Sequence, residues 1–137
     1  MASAQVQWIG GGKFVGVDST QHSVVLSTPN EGVGMKPSEM LLVALASCTA
    51  VDVVSILEKR RKPLSSLEIH VSAQQDEDPP WTFRKIHLKY LMAGKGITAN
   101  DAETAINLSE EKYCSVAATI RGVAEISTSF EILAPAE

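Results

Sequence analysis

Along the first quarter of the chain, apolar residues come in short runs. Val6 and Trp8 form the first, Phe14, Val15 and Val17 the second, and Val24, Val25 and Leu26 the third. Gly10-Gly11-Gly12 separates the first pair of runs, and the polar stretch Asp18 to Ser23 separates the second. Strand-like runs bounded by turn residues predict a three-stranded antiparallel meander. The glycine run is turn chemistry: Lys13 is followed by Phe14 and a strand pattern, where a phosphate loop needs Ser or Thr and a helix start. Thr28 to Lys36, with Pro29, Gly32 and Gly34, is a loop. Pro37 then suits a first helical turn, with Ser38 as candidate cap and Glu39 well placed for the helix dipole. From Met40 to Leu57 the chain is apolar around most of the helical wheel, and the helix ends in Glu58 to Lys62 before Pro63. A helix without a polar face is expected to be wrapped by sheet or by a partner subunit.

The second half returns to alternation. Leu67, Ile69 and Val71 interleave with Glu68, His70 and Ser72, so Ser66 to Gln75 reads as a half-buried strand. After the acidic turn Asp76 to Pro80, Trp81 to Met92 alternates again as the antiparallel return strand. Thr98-Ala99-Asn100 opens a second helix, with Asn100 and Glu103 spaced for a capping box. Its stripe is Ala102, Ile106, Ser109, Tyr113, Ala117 and Ile120, with Cys114 beside it near the end. Val123 to Ile132 closes as a strand. The predicted order, three strands, helix, two strands, helix, strand, gives an α+β fold of predominantly antiparallel sheets.

Length and composition fit one domain over residues 1–137 with a real core. No uninterrupted apolar run of membrane-spanning length is evident, and the N-terminus lacks the basic flank and apolar stretch of a secretory signal, so no membrane partner and a cytoplasmic location are expected. A net charge of −4 with interspersed signs, and 5% aromatic residues, argue against nucleic acid as a partner. The cluster Lys59-Arg60-Arg61-Lys62 is the cationic end of a helix. His22, His70 and His87 are scattered and neither His-x-x-x-His nor Cys-x-x-Cys occurs, so no metal or other cofactor is expected.

What chemistry there is rests on Cys48 and Cys114, the two cysteines. They lie on different predicted helices, and only the fold can bring them together. Facing each other, one thiol attacks a substrate and the other captures the oxidised product; apart, they are small buried hydrophobes. Asp52, one turn beyond Cys48, is either a buried hydrogen-bonded carboxyl or a catalytic group. Glu39 is either a partner of the helix dipole or a carboxylate near the mouth of a thiol site. No Gly-x-Ser-x-Gly elbow supports a serine hydrolase.

Pro37-Ser38-Glu39-Met40-Leu41-Leu42 leading into Ala46-Ser47-Cys48-Thr49-Ala50-Val51-Asp52-Val53-Val54, and later Ser109-Glu110-Glu111-Lys112-Tyr113-Cys114-Ser115-Val116-Ala117, resemble the two cysteine motifs of the OsmC/Ohr family. The forms Cys-x-x-x-Asp-Val-Val and Glu-Lys-Tyr-Cys-Ser-Val are most similar to its YhfA-like branch. The resemblance spans essentially the whole chain. It implies an OsmC-like fold, with antiparallel sheets around a long central helix, in an intertwined homodimer with two sites at the interface. It also implies that Cys48 matches the peroxidatic cysteine and Cys114 the resolving one, in the thiol-dependent reduction of organic hydroperoxides reset by an external dithiol. The apolar residues Leu45 and Val51 near Cys48 favour an alkyl or fatty hydroperoxide. In the family's peroxidase branches an arginine of the N-terminal hairpin, supplied by the partner chain and held by a glutamate directly after the proline, steadies the thiolate. Here no arginine precedes Arg60 and Ser38 follows Pro37, which leaves Lys13, Lys36 and Arg121 as candidate cations. The alternative function is a non-catalytic dimeric module that binds a small apolar ligand between subunits.

Overall fold

The structure is a computed structural model that describes residues 2–134. Its contacts fall into two compact units, Met1–Leu42 and Val43–Glu137.

The first unit is the predicted meander followed by the start of the long helix. Strands β1 (Ala4–Trp8), β2 (Lys13–Asp18) and β3 (Ser23–Ser27) form one antiparallel sheet in that order, with Trp8 opposite Phe14 and Phe14 opposite Leu26. Gly10 and Gly11 supply the positive φ angles, 102° and 56°, that the tight β1–β2 turn requires of residues without a Cβ. Every residue of β1 is exposed, including Val6 and Trp8, the latter at 66%. After the loop, the Lys36 carbonyl accepts the amides of Glu39 and Met40 at 3.1 and 3.0 Å. Helix α1 (Pro37–Lys59) therefore starts at Pro37, whose missing N–H would have had no intrahelical partner. Ser38 accordingly lies inside the first turn and is not the cap.

In the second unit α1 runs on to Lys59 and buries one stripe, Leu45, Thr49, Val53 and Leu57, spaced every four residues. Each fully buried aliphatic side chain on it contributes about 1.5–3 kcal/mol. The rest of the apolar wheel is only partly covered: Val43 is 48% and Val51 69% exposed. The expectation of a helix wrapped on all sides is thus not met within one chain. By length and composition α1 is also long and apolar enough to cross a membrane, which corrects the reading that no such segment exists.

Strands β4 (Ser66–Gln75) and β5 (Phe83–Ala93) pair antiparallel as the alternation predicts, and β6 (Glu125–Ile132) joins β5 in parallel. That parallel step is the one departure from antiparallel pairing among the described strands. It follows from chain order, because a parallel neighbour needs a long crossover and the second helical region supplies it. His87 bridges β5 to β6 through Ser127 (Nδ1 to Oγ, 2.7 Å) and Ser129 (Nε2 to Oγ, 2.8 Å).

The crossover departs from a single helix. Helix α2 (Ala99–Leu108) is capped by Thr98, not Asn100, because Thr98 is extended and closes a reciprocal box with Asp101. Asp101, 3% exposed, accepts from the Thr98 amide (2.9 Å) and hydroxyl (2.8 Å), from Lys62 (2.7 Å) and from Arg60 (3.1 Å). The cationic end of α1 is thereby tied to the N-terminus of α2. Lys62 foremost, with the Thr98 donors, holds the Asp101 carboxyl well below the usual carboxylate range. A carboxyl lowered in the folded state adds stability that is complete above its unfolded value near 4 and is lost as the pH falls through the folded value. Urea midpoints measured from neutral pH down into the acid range should therefore decline below about pH 4 in the native protein. The Asp101→Asn variant should start from a lower midpoint at neutral pH and show a shallower acid decline.

Candidate functional site

Beyond α2 the chain makes one π-helical turn, Ser109–Tyr113, before the short helix α3 (Ser115–Ile120). The π turn closes with the Cys114 amide donating to the Ser109 carbonyl at 2.7 Å, one residue further along than an α-turn reaches. The extra residue rotates everything after it. Tyr113, which α-periodicity places in the buried stripe, is 54% exposed, and Cys114 takes the inward position at 2% exposure. Cys114 is extended (φ −82°, ψ 107°) and serves as the cap of α3, its Sγ accepting the Ala117 amide at 3.3 Å. The sequence places this cysteine near the end of a continuous helix; in the structure it stands at a break between two.

α1 presents Cys48 to this break. Both thiols are free, Cys48 half-buried and Cys114 buried, and Cys48 lies near enough to Cys114 to perturb its titration. Burial pushes the Cys114 pKa up, the Cys48 thiol beside it adds to the rise, and the Ala117 and Val116 amides only partly offset it. Cys114 therefore remains an S–H at neutral pH. One turn further along α1, the Asp52 carboxylate accepts the Ser109 hydroxyl at 2.8 Å, which fastens α1 to the first residue of the π turn. Within this unit the fold brings Cys48, Asp52 and Cys114 together.

Glu39 lies outside that unit, in the first turn of α1 and about two and a half turns from Cys48 along the helix. It is exposed and pairs with Lys36 at 3.6 Å. Of the candidate cations, Lys36 is thus engaged with Glu39, and Arg121, just after α3, donates to the Glu110 carbonyl.

Two further groups at the site are not among the candidate residues read from the sequence. Tyr90, on β5, is fully buried; its hydroxyl lies within hydrogen-bonding influence of the Thr49 side chain but completes no hydrogen bond among the described residues. The neighbouring Thr49 hydroxyl donates to the Ala46 carbonyl at 3.0 Å. Burial raises the Tyr90 pKa to about 12; Thr49 opposes the rise, and Glu110, Cys114 and Asp52 add to it. Glu110, in the π turn, has a buried Oε1 that is likewise unpartnered, and burial raises its pKa against the pull of Arg121. The available signal for Tyr90 was a polar residue on the inward side of the β5 alternation. For Glu110 the available signal was its place in the second cysteine motif, four residues before Cys114.

Among the described residues no cluster of three or more potential metal ligands occurs. The arrangement is suited to thiol chemistry between an accessible and an enclosed sulfur. This difference predicts selective alkylation: iodoacetamide at pH 8 should label Cys48 and spare Cys114 until denaturant is added. Peptide mass mapping with and without urea checks it, and early labelling of Cys114 would contradict the burial described.

Residues 28–129 match the family described as OsmC-like protein. The chain is 33% identical over 131 residues to Protein YhfA of Escherichia coli (strain K12), covering 96% of this chain and 98% of that one. It superposes on a protein of Aquifex aeolicus VF5 with a TM-score of 0.89 at 28% identity, over 99% of this chain and 98% of that chain. With the organic hydroperoxide resistance protein OhrB of Bacillus subtilis it shares the fold, at a TM-score of 0.64 and 18% identity, over 96% and 98% of the two chains.

Proposed function

From the premise that this chain belongs to the OsmC-like protein family, we propose that it is a cytoplasmic thiol-dependent peroxidase that reduces organic hydroperoxides through Cys48 and Cys114. The observation that carries this reading is the unequal pair, an accessible thiol next to a buried one whose pKa is raised. Cys48, as thiolate, attacks the outer oxygen of R–O–O–H. The S–O bond forms, the O–O bond breaks, and the alkoxide takes up the proton the thiol gave up and leaves as alcohol. The sulfur of Cys114 then attacks the sulfenic sulfur of Cys48, water departs, and a disulfide remains. An external dithiol reduces that disulfide and is itself oxidised to one. The Cys114 S–H, close to Cys48, is a weak donor available to a thiolate there. No cofactor enters these steps.

The protein is proposed to work as a homodimer. Val43 and Val51 on α1, and Val6 and Trp8 on the meander, are exposed apolar side chains of the kind that a second copy covers. A small apolar hydroperoxide fits the same chemistry; of the two residues expected to favour it, Val51 is exposed on the helix that carries the thiol, whereas Leu45 is fully buried in the inner stripe of that helix.

The test is intact-mass analysis of the reduced protein after a brief stoichiometric pulse of cumene hydroperoxide, beside an equal pulse of hydrogen peroxide. Rapid loss of about 2 Da, faster with the organic peroxide, supports the reading. Slow or unselective oxidation rejects it in favour of the non-catalytic binding module. One observation favours that second reading: Arg121 is directed to the Glu110 carbonyl and not to a thiol, and no arginine precedes Arg60 to supply the family's clamp.

A further inference from the structure

Buried polar atoms are almost always hydrogen-bonded, because leaving one unpaired costs the full desolvation of the group. Among the described residues, Tyr90 Oη and Glu110 Oε1 are the buried side-chain atoms without a partner, and both belong to the neighbourhood of the cysteine pair. Their positions are independently fixed. Tyr90 is fully buried at the inward side of β5, between Leu88 and Met92 in the alternation. Glu110 follows Ser109, which is anchored to Asp52, and its backbone carbonyl is held by Arg121. A fully buried hydroxyl and a half-buried carboxyl, each with an oxygen that no described residue satisfies, stand near Cys114 as groups a reacting molecule can engage.

We propose that Tyr90 and Glu110 are the proton-handling half of the thiol site: the Tyr90 hydroxyl donates its hydrogen bond to the oxygen that leaves when Cys48 attacks a hydroperoxide, and Glu110 carries the proton that turns that oxygen into an alcohol. The inference rests on the hydroperoxide reading above. In the step, the Cys48 sulfur takes the outer oxygen, the O–O bond breaks, and the electron pair stays on the leaving alkoxide. Glu110 passes its proton to that alkoxide and recovers the one released by the Cys48 thiol, so it ends as it began. Neutral Tyr90 and protonated Glu110 are the forms required, and burial favours both. The charged or titratable groups that act on Glu110 are Arg121 after α3 and Glu111 in the π turn, with Tyr90 on β5 in range of it; of these, Arg121 pulls toward the ionised form.

Two variants test the assignment, Tyr90→Phe and Glu110→Gln, each followed by stopped-flow oxidation with cumene hydroperoxide and by alkylation of Cys48 with iodoacetamide. Alkylation needs the thiolate but no departing oxygen. The expected result for Tyr90→Phe is a fall of about 100-fold in the peroxide rate with alkylation unchanged. Its Tm should rise by about 3 °C, because an unpaired buried hydroxyl is removed without a change of shape. The native rate is expected to decline as rising pH ionises Glu110, and Glu110→Gln should slow oxidation by about 10- to 100-fold and abolish that decline. A Tyr90→Phe rate within about twofold of the native one, or a matching loss in alkylation, overturns the assignment and leaves the hydroperoxide reading standing. A native protein inert to the peroxide overturns both.

Discussion

Cys48→Ser is expected to lower hydroperoxide-dependent consumption of a dithiol by about a thousandfold or more, to the rate of the uncatalysed reaction. The hydroxyl of serine is far less nucleophilic than a thiolate, and the neighbouring carboxylate of Asp52, bonded to Ser109, does not convert a serine into an attacking alkoxide. Cys114→Ser separates the two sulfurs by role. It keeps the attack by Cys48, so one equivalent of peroxide should still be consumed, but the product should be heavier by about 16 Da, the mass of a sulfenic oxygen, instead of lighter by two hydrogens. Serine at position 114 can retain the acceptor role toward the Ala117 amide, so the break between α2 and α3 is preserved while the resolving chemistry is removed. Intact-mass spectra of both variants after a timed pulse distinguish these products. Undiminished turnover in Cys48→Ser refutes the assignment of the attacking thiol.

The second large effect concerns association. Val51→Lys places a cation on the most exposed of the large apolar residues of α1. In a monomer this change is nearly neutral, since the side chain already faces water. In the proposed dimer it buries an unpaired charge in an apolar contact, a change that weakens association by several kcal/mol and raises the dissociation constant about a thousandfold or more. Sedimentation velocity across a concentration series checks it: the native chain should run as a dimer and the variant as a monomer. A native monomer, or an unaffected variant dimer, refutes the proposed interface on this face of the helix. Loss of folding on dissociation would appear in the far-ultraviolet circular dichroism of the same samples.

The elements legible in the sequence were those whose burial is periodic. Ser66 to Gln75 reads as a strand because Leu67, Ile69, Val71 and Ala73 alternate inward, and the structure places β4 at those bounds. α1 is equally plain from composition, yet its surroundings are not, because an apolar wheel has the same sequence whether one chain or two bury it. The crossover was misread where local hydrogen bonds override periodicity. Asn100 and Glu103 have the spacing of a capping box, but the extended backbone of Thr98 and the ion pairs to Asp101 start the helix elsewhere. Ser109 to Tyr113 carries no glycine or proline to announce a π turn. Its first residue, Ser109, is bonded to Asp52 on α1, a long-range contact visible only once α1 and α2 are folded against each other. The cysteines could be named from the sequence, but their adjacency depends on that turn. Tyr90 and Glu110 were hidden for the same reason, since their polar atoms matter only through what fails to reach them.

The π turn also makes the site vulnerable in a way no single substitution matches. With one residue removed between Ser109 and Tyr113, the Cys114 amide falls back to α-helical spacing, and α2 and α3 become continuous. Each residue of an α-helix advances the wheel by about 100°, so a shift of one position would swing the sulfur from its inward station toward the place Tyr113 holds in water. Both cysteines would survive with their flanking motif almost intact, and the fold would lose none of its strands. Among descendants of this gene, loss of the paired thiols can therefore arise through a one-codon deletion while a census of cysteines records no change.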